Sequence, residues 1–140
     1  MTLETMATLA RTPSAKVNDY ALRFGSSGSG FGDSVDHFCR TSFHYRSEEN
    51  EIVRTPEFML TDYETLGYCE GDCDDISTLI CGLAHGAGIR SRLTAISTDP
   101  SRELSHVFAE CFTGNGWQII DPTVQPGTTY VCYSVYHEPV

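Results

Sequence analysis

The spacing of apolar residues predicts a helix that begins at Cys73. Downstream of Asp72, apolar side chains recur along one helical face, at Ile76, Leu79, Ile80, Leu83, Ala84 and Ala87. Asp72 is a favourable N-cap residue directly before this pattern, and Gly86 and Gly88 mark its end. Cys73 is therefore expected to be the first residue of the helix.

Two more helices are predicted upstream. Thr55 is a good N-cap, Pro56 suits the first helical position, and Gly67 ends the apolar pattern that follows. An earlier helix is capped by Asp33 or Ser34 and carries one face of apolar or small residues, at Val35, Phe38, Cys39, Ser42 and Phe43. This earlier helix is expected to pack in the core.

The first 32 residues have a weaker pattern. Met1 to Phe24 indicates no more than a short helix or strand near residues 15–24. Residues 25–32 hold four glycines and three serines but lack the Lys-Ser/Thr pair of a phosphate-binding loop, so a flexible loop is predicted. We therefore expect an N-terminal adapter segment and Gly/Ser-rich loop over residues 1–32, followed by one domain over residues 33–140.

The last third of the chain predicts strands. Four segments carry strand-forming residues between turn sequences, at Arg90–Thr98, Glu103–Thr113, Gly116–Asp121 and Thr129–His137. Helices followed by an antiparallel meander indicate an α+β fold, with the sheet packed on the helix that begins at Cys73.

Length and charge limit the classes of function. The 140 residues, 40% of them apolar, suffice for one domain with a single core. A formal net charge of −10 argues against a nucleic-acid partner, because phosphate binding needs clustered Lys and Arg side chains, and the nine here are scattered. The same charge would repel an anionic membrane, and no run of about 18 apolar residues is present to cross one.

The N-terminus and the cysteines indicate the compartment. Residues 1–16 lack the basic and apolar regions of a secretory signal, so a cytoplasmic protein or one within a virion is expected. The six cysteines are therefore expected to stay reduced, at positions 39, 69, 73, 81, 111 and 132.

Three residues form a candidate catalytic group. A cysteine at a helix N-terminus is favoured as the thiolate, the form that attacks a carbonyl. His106 lies in a predicted strand and Asp121 ends the next one, so neighbouring antiparallel strands would place them side by side. We expect the Cys73 sulfur within about 4 Å of one His106 ring nitrogen, with Asp121 facing the other.

Two features of the same region favour other interpretations. Glu70, Asp72, Asp74 and Asp75 surround Cys73 in sequence, and their charge would raise the pKa of the thiol. A zinc site is the main alternative chemistry, with ligands drawn from Cys69, Cys73, Cys81, His85 and His106. No Cys-x-x-Cys pair is present among these residues, so neither a metal nor another cofactor is predicted.

Five separated segments resemble one known family. They are Gly71-Asp72-Cys73-Asp74-Asp75, Gly88-Ile89, Ser105-His106-Val107, Trp117 and Asp121-Pro122-Thr123. Over roughly residues 35–125 the chain resembles the transglutaminase-like cysteine proteases and acyl transferases, most closely the short bacterial and phage-borne members. The resemblance implies a papain-like fold with Cys73, His106 and Asp121 as the catalytic residues.

The expected function is a cysteine-dependent hydrolase or acyl transferase acting on peptide or carboxamide bonds of a protein or peptide substrate. Cys73 would be the nucleophile, His106 the base, and Asp121 the residue that orients the imidazole. The alternative is a noncatalytic transglutaminase-like module that serves binding or assembly, with an assembly partner in a larger particle such as a phage.

Overall fold

The computed structural model describes residues 2–25, 28–47 and 53–140, and within them it contains helices and strands in an α+β arrangement. The helices are α1 (Leu3–Arg11), α2 (Ala15–Arg23), α3 (Gly28–Ser42), α4 (Pro56–Leu66) and α5 (Cys73–Gly86). The strands are β1 (Phe43–Tyr45), β2 (Cys69–Gly71), β3 (Ser91–Ser97), β4 (His106–Phe112), β5 (Trp117–Ile120) and β6 (Ser134–Pro139).

Helix α4 has the boundaries that its sequence predicts. Thr55 Oγ1 accepts a hydrogen bond from the backbone N–H of Phe58 at 3.1 Å, and Pro56 occupies the first turn. Gly67 ends the helix with φ of 84°, a left-handed conformation that glycine adopts without a steric penalty. The predicted start and end of α4 are confirmed.

Helix α3 begins earlier than the sequence predicts. The flexible loop expected over residues 25–32 is wrong for residues 28–32, which are helical; residues 26 and 27 lie outside the described part. Phe31 is fully buried with Val35 and Cys39 on the same face. Burial of this aromatic side chain outweighs the low helix propensity of the neighbouring glycines.

The N-terminal residues form two helices that share the core of the rest of the chain. The element predicted near residues 15–24 is α2, whereas α1 was not predicted. Met6, Ala7 and Ala10 of α1 are buried in the same cluster as Leu79 and Leu83 of α5. Alanines give a weak hydrophobic signal in a sequence but allow close helix packing. The domain boundary expected between residues 32 and 33 stays a prediction.

The main sheet has the strand order β5-β4-β3-β6 and is antiparallel throughout. Strands β3, β4 and β5 form the predicted meander. The meander prediction is wrong for the last strand, because β6 pairs with β3 at the far edge instead of following β5. The intervening residues cross the sheet, where Tyr130 stacks on Phe108, and β6 then covers an edge of β3 that would otherwise be unpaired.

Helix α5 lies in the centre of the molecule. Its apolar face packs against Leu93 and Ala109 of the sheet, and Ser77 Oγ donates a hydrogen bond to the carbonyl of Val107 at 3.3 Å. A short parallel pair of β1 and β2 places Tyr45 opposite Gly71, next to the start of α5. None of the described helices is long and apolar enough to span a bilayer.

Candidate active site

Asp72 and Asp75 fix the N-terminus of α5. Asp72 Oδ1 accepts hydrogen bonds from the backbone N–H groups of Asp74 and Asp75, at 3.0 and 3.2 Å. Asp75 Oδ2 accepts from the Asp72 N–H at 3.0 Å, which completes a capping box. Cys73 is the first helical residue, as predicted, and its N–H is not among the donors that this cap uses.

Cys73 and His106 line the same open cleft, which has a volume of about 450 Å³. Apolar side chains from α1 form part of the wall, and Tyr45 and Leu104 contribute further surface; the α1 residues are Leu3 and Met6. Asp72 and Asp74 also line the cleft, whereas no lysine or arginine does within the described residues.

His106 and Asp121 are in direct contact. His106 Nε2 lies 2.7 Å from Asp121 Oδ2, and the Asp121 side chain is only 3% exposed. The pairing of Ala109 with Ile120 sets the register of β4 and β5 that allows this contact. Because Nε2 faces the carboxylate, Nδ1 is the ring nitrogen available to the thiol.

Four donors surround the Asp121 carboxylate. Oδ1 accepts from the Thr123 N–H at 3.2 Å and from Thr123 Oγ1 at 2.6 Å. Oδ2 accepts from His106 and from Tyr130 Oη, the latter at 2.5 Å. On its own burial would raise the pKa of Asp121, but the hydrogen bonds from His106, Thr123 and Tyr130 outweigh this effect and lower it.

The histidine is held in its protonated form. The hydrogen bond to Asp121, followed by a hydrogen bond with the Cys73 side chain, raises the pKa of His106 to about 9, although burial opposes the shift. At neutral pH the imidazolium therefore lies between a carboxylate and a thiol. Such a group can stabilise a thiolate and later donate a proton.

Two of the acidic residues near Cys73 form ion pairs with arginines. Glu70 pairs with Arg46 at 3.0 Å, and Asp75 accepts from the Arg54 N–H at 2.7 Å and its guanidinium at 3.2 Å. Burial raises the pKa of Asp75 to about 6. Asp74 Oδ1 lies 3.8 Å from the Cys73 sulfur.

The other thiols differ from Cys73 in environment. Cys39, Cys69, Cys81 and Cys111 are buried, and burial raises the pKa of each, to about 11 for Cys69 and to about 12 for Cys111. Cys69 lies on β2 and is buried. Cys132 is the exposed thiol and lies outside β6, not within a strand as predicted.

Among the described residues, the candidate zinc ligands do not come together as a metal site; they are Cys69, Cys73, Cys81, His85 and His106. Within residues 2–25, 28–47 and 53–140, no group of three or more His, Cys, Asp or Glu side chains is arranged to hold a metal ion.

Sequence reasoning missed two tyrosines of the site. Tyr45 reaches the cleft through the parallel pairing of β1 with β2, and Tyr130 reaches Asp121 from the segment that crosses the sheet. Their local sequences carry no signal for these positions, which depend on long-range packing. Trp117 packs against Phe112 and beneath the Arg92 guanidinium.

Comparisons with known proteins agree with this fold. The family model described as the transglutaminase-like superfamily matches residues 30–122. No curated protein matches the chain.

Three solved structures share the fold at low sequence identity. A candidate cysteine protease from Cytophaga hutchinsonii matches with a TM-score of 0.65 at 17% identity, over 91% of this chain and 45% of its own. A candidate protease from Parabacteroides distasonis gives 0.60 at 16%, over 83% and 25%. Red sea bream transglutaminase gives 0.53 at 16%, over 93% and 28%. The chain thus spans less than half the length of each of these proteins.

Proposed function

The chain belongs to the transglutaminase-like superfamily, and on that premise we propose that it is a cysteine-dependent hydrolase or acyl transferase acting on peptide or carboxamide bonds. The catalytic residues are Cys73, His106 and Asp121. The observation that carries the proposal is the placement of His106, hydrogen-bonded to the buried Asp121 and facing the same cleft as Cys73. The names of the structural neighbours, two candidate proteases and one transglutaminase, support the same reaction class.

The proposed reaction begins with the thiolate of Cys73 paired with the His106 imidazolium. The sulfur forms a bond to the carbonyl carbon, and the N–H of Cys73 at the start of α5 stabilises the oxyanion. The C–N bond then breaks as His106 donates its proton to the leaving amine, which leaves a thioester on Cys73. Water or a second amine, deprotonated by His106, attacks the thioester and restores the thiolate.

A first prediction tests whether Cys73 is activated. Under native conditions limiting iodoacetamide should modify Cys73 before the other five thiols, and peptide mapping should identify it. His106→Ala should slow this alkylation at neutral pH by about tenfold or more, because the imidazolium that stabilises the thiolate is lost. In the parent protein the rate of Cys73 alkylation should also change as the pH rises through about 9, because His106 loses its proton there.

The exposed Cys132 provides the internal control, because its rate of labelling should be the same in the parent and His106→Ala proteins. If Cys132 reacts first, or if Cys73 labelling does not depend on His106, the noncatalytic binding or assembly module becomes the better interpretation.

A second prediction concerns the charge of the substrate. Because Asp72 and Asp74 line the cleft, we propose that it admits neutral or cationic peptide segments and disfavours anionic ones. Cys73 should react faster with aminoethyl methanethiosulfonate, a cation, than with the sulfonatoethyl reagent, an anion. Asp74→Asn should reduce this preference about tenfold, as expected for one carboxylate near the sulfur.

Asp19→Asn is the matched control, because it removes the same charge from an exposed position on α2. An equal ratio of the two rates in the parent and Asp74→Asn proteins would exclude Asp74 from substrate selection, while leaving the assignment of Cys73 intact.

A further inference from the structure

Tyr130 makes a contact that the proposed mechanism does not use. Its hydroxyl donates to Asp121 Oδ2 at 2.5 Å, and this oxygen also accepts from His106 Nε2. Its ring stacks on Phe108 with centroids 4.9 Å apart and lies nearly parallel to the His106 ring at 6.1 Å. The side chain is therefore held at both its hydroxyl and its ring.

We propose that Tyr130 is a positioning residue for His106, because its hydroxyl shares Asp121 Oδ2 with the imidazole and so fixes the carboxylate and reduces the negative charge that His106 faces. Each donor to a carboxylate oxygen stabilises the anion and weakens its attraction for another proton donor. Tyr130 thus limits how strongly Asp121 holds the proton on His106. The catalytic consequence rests on the proposed function, but the coupling between the two side chains does not.

Among the described groups around this contact, Tyr130 is the donor that shares Asp121 Oδ2 with His106. From α3, the Arg40 guanidinium donates to the backbone carbonyls of Asp121 and Val124 and pairs with Asp36, so it is not directed at the carboxylate oxygens. From α5, Cys73 faces His106, and Thr123 donates only to Oδ1.

The phenol keeps its proton while His106 titrates. Burial, followed by the hydrogen bond to Asp121, raises the pKa of Tyr130, and the nearby Cys132 adds to this effect while Arg40 opposes it. Tyr130 is therefore a donor on both sides of the His106 transition near pH 9.

Tyr130→Phe removes the donor and keeps the ring that stacks on Phe108. The pKa of His106, measured by NMR titration of its imidazole nitrogens, should rise by about half to one pH unit. The pH at which the rate of Cys73 alkylation changes should rise by the same amount. Tyr136→Phe is the matched control, because Tyr136 is exposed on β6 and its hydroxyl should not affect His106.

A second variant tests the inference even if Tyr130→Phe does not fold. Fluorotyrosine incorporated at position 130 is a stronger donor of nearly the same shape, so the pKa of His106 should fall. If the titration of His106 is the same in the parent and both variants, with only thermal stability altered, Tyr130 is a structural residue and the inference is overturned. These NMR outcomes hold whether or not Cys73 labelling depends on His106, so failure of the proposed function is recognised separately.

Discussion

Asp121→Asn should leave the protein folded and lower its turnover of a carboxamide or peptide substrate by about four orders of magnitude, the loss known for this change in another catalytic triad. The reason lies in the donors around the carboxylate. The backbone N–H of Thr123 can only donate, so the asparagine oxygen should remain beside it and the amide nitrogen should face His106 and Tyr130. Nε2 must then accept a hydrogen bond, and the remaining proton lies on Nδ1, the nitrogen that should receive the proton of Cys73.

The same substitution should change the titration of His106. With the carboxylate gone, its pKa should fall from about 9 towards the ordinary value of about 6.5. The imidazole is then mostly neutral at pH 7.5, and Cys73 alkylation should slow together with turnover. Asp33→Asn is a suitable control, because it also removes a carboxylate that accepts a side-chain hydrogen bond, from Gln118 at 3.1 Å, away from the thiol. Equal turnover of the Asp121→Asn and parent proteins would remove Asp121 from the mechanism.

The sequence is most informative where local chemistry determines structure. Thr55, Gly67 and Asp72 sit at helix ends for reasons of hydrogen bonding and backbone conformation that require no tertiary contact. The contact of His106 with Asp121 is nearly as local, because a single hairpin joins β4 and β5. These features could be predicted with their residue numbers.

The features that were missed depend on contacts between distant parts of the chain. Helix α3 extends back to Gly28 because Phe31 is buried, with its ring edge-on to Phe24 at a centroid distance of 6.5 Å. Strand β6 pairs with β3 across a long connection, and that connection delivers Tyr130 to Asp121. Neither propensity nor periodicity in a single segment contains this information.

Asp75 is the residue whose loss should destabilise the fold most strongly among those near the site. Its side chain is 1% exposed and joins the Arg54 backbone and guanidinium to the N-terminus of α5. A Cβ at position 71 would also clash with Asp75 Oδ2, so Gly71 is needed for this close approach. The carboxylate thus connects residue 54, strand β2 and the helix that carries Cys73.

Asp75→Ala should lower the free energy of unfolding by about 3 kcal/mol, because it leaves the partners of a buried carboxylate without their acceptor and removes half of the capping box. The estimate lies at the lower end for a buried ion pair because the Arg54 side chain is 25% exposed and can regain water. Urea denaturation at pH 7 measures the change. Glu57→Ala, which removes an exposed first-turn acid from α4, should cost no more than about 1 kcal/mol.

The pH dependence provides an independent check on the role of Asp75. Its pKa is raised to about 6 in the folded protein, whereas the pKa of an aspartate in the unfolded chain is about 3.9. Between these two pH values the folded protein therefore keeps a proton that the unfolded chain has released. Ionised Asp75 therefore costs stability above pH 6, and this cost should diminish as the pH falls from 6 towards 3.9. Asp75→Ala should lose that part of the pH dependence. If the stabilities of the parent protein and the variant differ by the same amount at pH 7 and pH 5, the pKa assigned to Asp75 is contradicted.

Because the same carboxylate holds the Asp72 N–H, the variant should also lose the preferential alkylation of Cys73, since the thiol would no longer be fixed at an ordered helix N-terminus.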